Sequence, residues 1–173
     1  NKVFEVIEAK NIFNISYRKI SILIHPSSYV HAIIKFNNGM IKIIAHDTSM
    51  EIPIFNTIYS DLNKNIKSKD IDLKKLNNLN FRNLDFKRYP LVKILSLVPA
   101  NSSLFETIIV SANDELVSLF LQKKISFVDI SNKLLNFIKL NEFNKYKKIL
   151  PTKIEQILKL NNYVRLKINS KSV

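Results

Sequence analysis

One glycine, Gly39, occurs in the 173 residues of this chain, and its placement limits both what the chain can fold into and what it can bind. It closes the tripeptide Asn37-Asn38-Gly39 between two β-branched and aromatic runs, residues 29–36 and 40–45. That pattern signals a tight turn joining two antiparallel strands. A β-hairpin is expected there. The same scarcity excludes function classes, because a phosphate-cradling loop and the dinucleotide fingerprint each need several glycines where backbone approaches a ligand closely. Any nucleotide cofactor must be held elsewhere.

Around the hairpin the apolar pattern is mixed. Residues 1–13 are expected to form a helix, in which Asn1, Lys2, Glu5 and Glu8 share about a third of the circumference at roughly 100° per residue. Val3, Phe4, Val6, Ile7 and Phe13 occupy the opposite side. Residues 16–19 form a polar break, and residues 20–24 read as a further strand. Pro53 fits the first turn of a helix over residues 50–59. Residues 60–80 are polar and lysine-rich, and read as a connection carrying a short helix at most.

Beyond that connection the period becomes helical. Leu91, Ile94, Leu95 and Val98 recur at helix spacing up to Pro99, and a second helix is expected over residues 103–122. A third should start at Asp129 as N-cap and run through Ile138; a fourth opens at Pro151-Thr152, where Thr152 and Glu155 have capping-box spacing. Short connections between such helices favour antiparallel packing. The expected fold class is therefore α+β: a β-hairpin or small sheet with helices, followed by an antiparallel helical bundle.

With 46% hydrophobic residues the chain can build a core, and its length suits one ordinary domain or slightly more. Without cysteine it has neither a disulfide framework nor a thiolate metal site, which fits a reducing compartment. No apolar run approaches the roughly 20 residues that span a bilayer, and the opening residues lack the basic and apolar regions of a signal peptide. No membrane partner is expected. An opening inside an amphipathic helix, with no cap before it, reads as the tail of something longer. The net charge of +13 suggests nucleic acid. However, the lysines are spread along the whole chain, arginine is scarce, and no glycine-aromatic RNA motif or zinc spacing is present. The pattern looks like a coding bias toward Lys, Asn and Ile, and no nucleic-acid partner is expected.

Five segments in order carry a more specific signal. They are Asn1-Lys2-Val3-Phe4-Glu5-Val6-Ile7-Glu8-Ala9; Ile24-His25-Pro26-Ser27-Ser28-Tyr29-Val30-His31; Met50-Glu51-Ile52-Pro53-Ile54; Phe86-Lys87-Arg88-Tyr89-Pro90; and Ala112-Asn113-Asp114 followed by Phe120-Leu121 and Ile125-Ser126-Phe127-Val128-Asp129-Ile130. Together they resemble the 1-deoxy-D-xylulose 5-phosphate reductoisomerases, NADPH-dependent enzymes of non-mevalonate isoprenoid synthesis. The resemblance implies that residues 1–59 are the end of a catalytic domain, 60–85 a linker and 86–173 a C-terminal helical domain. It implies a magnesium or manganese ion held by three acidic residues, of which Glu5 is the last and the other two belong to an upstream Asp-x-Glu. In the family this metal chelates the ketone and hydroxyl oxygens of the sugar phosphate. A rearrangement then gives an aldehyde that NADPH reduces to 2-C-methyl-D-erythritol 4-phosphate.

By the same resemblance Asn1 would hydrogen-bond the substrate phosphate, and Lys2 would contact phosphate or a hydroxyl beside the catalytic Glu5. On composition alone these three residues read as a solvated helix face with an Asn1–Glu5 contact. His31 is implied as an orienting catalytic group. Ser28 either reaches the same pocket or serves only its turn; Met50 either closes over substrate and nicotinamide, binding both, or is a core residue at a helix start. NADPH would be held mainly by a domain absent from this chain. His25 reads as structural and His46, with no family counterpart, as a surface or strand-end residue. Departures from the family pattern are Val3 for glycine, Phe4 for leucine, Thr48-Ser49 for Pro-Asp and Glu51 for arginine. The whole enzyme is expected to be a homodimer in bacterial cytoplasm, or alternatively in a plastid. The chain alone should be inactive and bind metal weakly. A non-catalytic remnant or interaction module of the same fold, and a basic nucleic-acid-binding protein, are the competing readings.

Overall fold

A computed structural model describes residues 1–59 and 63–172, so the first three positions of the expected linker, 60–62, lie outside the described residues. The elements in chain order are α1 (Lys2–Phe13), β1 (Leu23–Ile24), β2 (Val30–Lys35), β3 (Ile41–Ala45), α2 (Glu51–Ile58), α3 (Leu73–Asn77), β4 (Arg82–Asn83), α4 (Leu104–Leu121), α5 (Phe127–Phe137) and α6 (Ile154–Ser172). Three 3-10 segments, Tyr17–Lys19, Pro90–Ser96 and Asn141–Lys148, lie among them. They form two compact units: Asn1–Ser21 with Asp85–Val173, and Ile22–Leu84. The opening helix thus packs with the C-terminal helices, a grouping that differs from the expected segments 1–59, 60–85 and 86–173.

In the helical unit the core is built around α4. Phe105, Ile108, Ile109, Ala112, Leu116 and Leu119 recur at three- and four-residue spacing and are almost wholly inaccessible. They share a cluster with Ile130, Leu134 and Phe137 of α5, Phe143, and Leu160, Val164 and Ile168 of α6. The Leu104 amide donates to the Ile149 carbonyl at 2.8 Å, while further along Arg165 reaches Glu115 at 3.2 Å and Asp114 at 3.4 Å. These contacts set the first and third helices running in one direction, as alternating helices of an up-down-up bundle do. From α1, Val3 and Ile7 join this core.

Several local expectations are corrected. Pro90–Ser96 is a 3-10 segment, not an α-helix; prolines at 90 and 99 bound it, and the spacing of its apolar residues also suits i→i+3 bonding. The N-cap of α5 is Ser126, not Asp129. The Ser126 hydroxyl accepts the Asp129 amide at 3.3 Å, and the Asp129 carboxylate reaches back to the Ser126 amide at 2.8 Å. This reciprocal pair is a capping box with Asp129 at its third position. At α6 the Thr152 amide donates to Gln156 Oε1 at 2.9 Å, so Gln156 rather than Glu155 closes that end. Phe13 is 69% exposed, and the buried stripe of α1 runs Val3, Val6, Ile7, Lys10.

In the second unit, β2 and β3 pair antiparallel, with Ile33 opposite Ile43 and Lys35 opposite Ile41. At the turn the Phe36 amide donates to the Met40 carbonyl at 2.9 Å and the Gly39 amide to the Phe36 carbonyl at 3.1 Å. Gly39 has φ +86° while Asn37 and Asn38 stay at negative φ. The loop is therefore the three-residue kind, in which a type I turn is followed by one left-handed residue. The expected strand over residues 20–24 shrinks to Leu23–Ile24, which pairs with Arg82–Asn83. Both faces of the hairpin are open, with Ile33, Ile34, Ile41, Ile43 and Ile44 each between 40% and 58% exposed.

Candidate functional site

The first group of candidate residues sits on the opening turn of α1, where Asn1 is the N-cap. Three- and four-residue spacing stacks the side chains: Lys2 Nζ lies 2.6 Å from Glu5 Oε2, and Asn1 Nδ2 lies 3.5 Å from Glu5 Oε1. Lys2 and Glu5 are 60% and 46% exposed. An exposed pair of this kind contributes only a few tenths of a kcal/mol, so exchanging it for a ligand is cheap. The turn therefore offers one carboxylate, one ammonium and one amide to solvent. Glu5 supplies the hard oxygens that magnesium or manganese takes. Such an ion binds about six oxygens, and among the described residues no three His, Asp or Glu side chains stand together to hold one. By themselves these residues offer at most one carboxylate to a metal ion, not a complete centre.

Behind that turn, α1 is fastened by a polar contact that periodicity did not reveal. Lys10 is 8% exposed, and its ammonium donates to Asn11 Oδ1 at 3.1 Å and Ser102 Oγ at 3.0 Å. The Ser102 hydroxyl donates to Asn11 Oδ1 at 2.9 Å. The end of α1 is thereby tied to the loop before α4, which fixes the helix that presents Asn1, Lys2 and Glu5. Lysine 10 falls on the apolar stripe by spacing, which was its one visible signal.

Ser28, His31 and Met50 belong to the second unit. Ser28 ends a turn in which its amide donates to the His25 carbonyl at 3.0 Å, and it holds φ 50°, a left-handed conformation that costs a residue bearing a Cβ about 1–2 kcal/mol. His25 anchors this turn: Nδ1 donates to the Asn80 carbonyl at 3.1 Å, Nε2 meets the Ser27 hydroxyl at 2.8 Å, and the ring stacks on Phe81. The exposed His31 donates from Nε2 to the His46 carbonyl at 3.3 Å, and the two imidazoles stack. Met50 precedes α2 and is 68% exposed, so it is no core residue.

Next to Met50 an open cavity of about 400 Å³ is lined by Asp47, Thr48, Ser49, Glu51, Lys67 and Lys75 among others. Its walls mix both charges, and Lys75 pairs with Asp47 at 3.2 Å. Three of the positions that depart from the family pattern, Thr48, Ser49 and Glu51, face this one space. The structure thus brings Asn1, Lys2 and Glu5 together on one turn, and places Ser28, His31 and Met50 in the other unit. No helix among the described residues is long and apolar enough to cross a membrane.

Comparisons with known proteins agree with one another. The family model described as the DXP reductoisomerase C-terminal domain matches residues 47–167. That match starts well before residue 86, where the sequence placed the helical domain. The 1-deoxy-D-xylulose 5-phosphate reductoisomerase of Pelagibacter ubique (strain HTCC1062) is 58% identical over 173 residues, 100% of this chain and 45% of the relative. That of Wolbachia pipientis wMel is 38% identical over 133 residues, 75% of this chain and 34% of the relative. The chain thus spans less than half the length of these curated relatives. Among solved structures, the Zymomonas mobilis enzyme in complex with NADPH superposes with a TM-score of 0.83 at 26% identity, covering 99% of this chain and 44% of that one. A reductoisomerase solved with NADPH, fosmidomycin and magnesium has the same fold, with a TM-score of 0.86 at 24% identity over 99% of this chain and 43% of that one.

Proposed function

Because the chain belongs to the 1-deoxy-D-xylulose 5-phosphate reductoisomerase family, we propose that it supplies the C-terminal portion of an NADPH-dependent enzyme of non-mevalonate isoprenoid synthesis. That enzyme converts 1-deoxy-D-xylulose 5-phosphate to 2-C-methyl-D-erythritol 4-phosphate. The observation that supports the reading is the opening turn of α1, where Asn1, Lys2 and Glu5 stand together and exposed, at the positions that the sequence resemblance matches to the family's site.

Each residue has work suited to its chemistry. The Asn1 amide donates to the phosphate oxygens of the substrate. Lys2 adds a compact positive charge for the same anion. Its present partner is Glu5, so a cation taken up by that carboxylate would turn Lys2 outward toward phosphate. Glu5 would hold magnesium or manganese together with carboxylates from outside this chain. When bound, such an ion supplies Lewis-acid stabilisation of charge on the substrate's oxygens. His31 orients a substrate hydroxyl, and the Ser28 hydroxyl, held in its strained turn, contacts the same ligand. Met50 lays a flexible apolar side chain over substrate and nicotinamide. The remainder of NADPH is held outside this glycine-poor chain. We read the whole enzyme as a homodimer of the bacterial cytoplasm, with a plastid as the alternative compartment. Residues 1–59 would contribute to its catalytic part.

A second reading, a remnant that keeps the fold without turnover, is favoured by one observation: Thr48, Ser49 and Glu51 all line the cavity beside Met50. The test joins this chain to the N-terminal part of the Pelagibacter ubique relative. Manganese-dependent NADPH oxidation with the sugar phosphate is expected, reduced about a hundredfold or more by Glu5→Gln. Binding of metal and substrate without turnover would instead establish the remnant.

A further inference from the structure

β2 and β3 fall out of step by one residue at His31. Val30 stands opposite Ala45, yet Ala32 stands opposite Ile44, so His31 is the extra residue of a bulge. A bulged residue leaves the regular ladder, and its side chain is re-aimed. Here it is aimed at His46. The two imidazole centroids lie 3.7 Å apart with planes within 6° of parallel, and His31 Nε2 lies 3.3 Å from the His46 carbonyl oxygen. A carbonyl can only accept, so Nε2 carries the proton; in the neutral ring Nδ1 is then the acceptor. Among the described residues no hydrogen bond to His31 Nδ1 accompanies it.

His46 is itself anchored. Its amide donates to the Tyr29 carbonyl at 3.1 Å, and its Nδ1 donates to the Asp47 carbonyl at 2.5 Å. The Asp47 carboxylate takes the Lys75 ammonium at 3.2 Å, and that ammonium also lies over the Tyr29 ring and near Asp72. The half-buried His46 thus forms a fixed floor under an exposed histidine.

We propose that His46 is a positioning residue for His31. Its ring and carbonyl hold the His31 imidazole flat and in the Nε2–H tautomer. Nδ1 is thereby presented as an acceptor for a hydroxyl-bearing ligand such as a sugar phosphate. This rests on the reading of His31 as part of the reductoisomerase site, and it adds a residue that the family pattern does not contain.

The test has two arms. In the isotope-labelled 173-residue chain, ring ¹H–¹⁵N spectra should show His31 as the Nε2–H tautomer, with ring protons shifted upfield by the stacked neighbour. His46→Ala should remove that upfield shift, and His46→Phe, which restores a flat ring, should return it. In the enzyme completed with the N-terminal part of the relative, His46→Ala should lower kcat about tenfold. KM for manganese and the thermal midpoint should stay unchanged, and His46→Phe should recover the rate. An Nδ1–H tautomer, no stacking shift, or wild-type kcat in His46→Ala would overturn the proposal. If the completed enzyme shows no turnover in any form, the reductoisomerase reading fails by itself, and the ring shifts still decide whether His46 holds His31.

Discussion

A tyrosine hydroxyl shut away from water is costly unless something accepts its proton. Tyr17 Oη and Glu106 Oε1 are both buried without a hydrogen-bond partner among the described residues. Burial first, and then the Glu106 charge, pushes Tyr17 from 10.0 up to about 12. The unfolded chain therefore ionises before the folded one. Stability is untouched by this titration below pH 10.0 and falls as the pH rises toward about 12. In urea titrations across that window Tyr17→Phe should flatten the decline, and near neutrality it should be neutral or mildly stabilising; a marked loss at neutral pH would mean the hydroxyl is satisfied after all. Nothing in the sequence marked this pair, because Tyr17 sits in a polar break and meets Glu106 only through packing. Lys10 was hidden for a related reason: its ammonium is satisfied by Ser102, far along the chain. Asn1, Lys2 and Glu5 were legible because one helical turn brings them together. His46 was not, because its stacking on His31 depends on a one-residue bulge.

Helix ends gave the clearest contrast between what spacing reveals and what bonds decide. For α4 the apolar repeat located the helix to within a residue at each end, expected 103–122 against Leu104–Leu121. For α5 the Ser126 and Asp129 pair carries the same signal read from either member; only the reciprocal bonds show which residue caps. Ser126→Ala should cost about 1 kcal/mol in denaturant unfolding. The two bonds from Ser126 hold the Asp129 carboxyl below its usual range. Their contribution is therefore present above the ordinary carboxylate pKa and disappears as the pH falls through the lowered one, so the deficit of the alanine variant should narrow in acid. At the other end of α4 the Lys123 and Lys124 amides donate to the Phe120 and Leu119 carbonyls at 2.8 and 2.9 Å, with Lys123 at φ 62°. Glycine ordinarily fills that place. Lys123→Gly should raise stability by about 1 kcal/mol, measured as a shifted urea midpoint. The pairing of β1 with β4 escaped the sequence because two residues carry no period, and Arg82–Asn83 lies in a polar stretch. Pro90–Ser96 is hard to type from sequence because a seven-residue segment opening on a proline can satisfy either helical spacing.

At the scale of the molecule, the proposed function gives this chain a single carboxylate of the metal set, Glu5. Titrating magnesium or manganese into the 173-residue chain should give weak, non-saturating heats, whereas the completed enzyme should bind a single ion tightly, and Glu5→Gln should weaken only the latter. Tight stoichiometric binding to the chain alone would overturn this. Two-unit organisation was not legible either, since the apolar pattern of α1 says that one face is buried without saying against which later helix. The hairpin bears on how the chain behaves in a test tube. Its isoleucines are open on both faces and its outer strand edges find no partner among the described residues, while a net charge of +13 disfavours the approach of a second copy. Electrostatic repulsion of this kind reaches about 30 Å at 0.01 M salt but only about 3 Å at 1 M. The isolated chain should therefore remain clear in dilute buffer and turn cloudy as salt is added, a colloidal transition that light scattering would follow and that lysine substituted on the strand faces would delay.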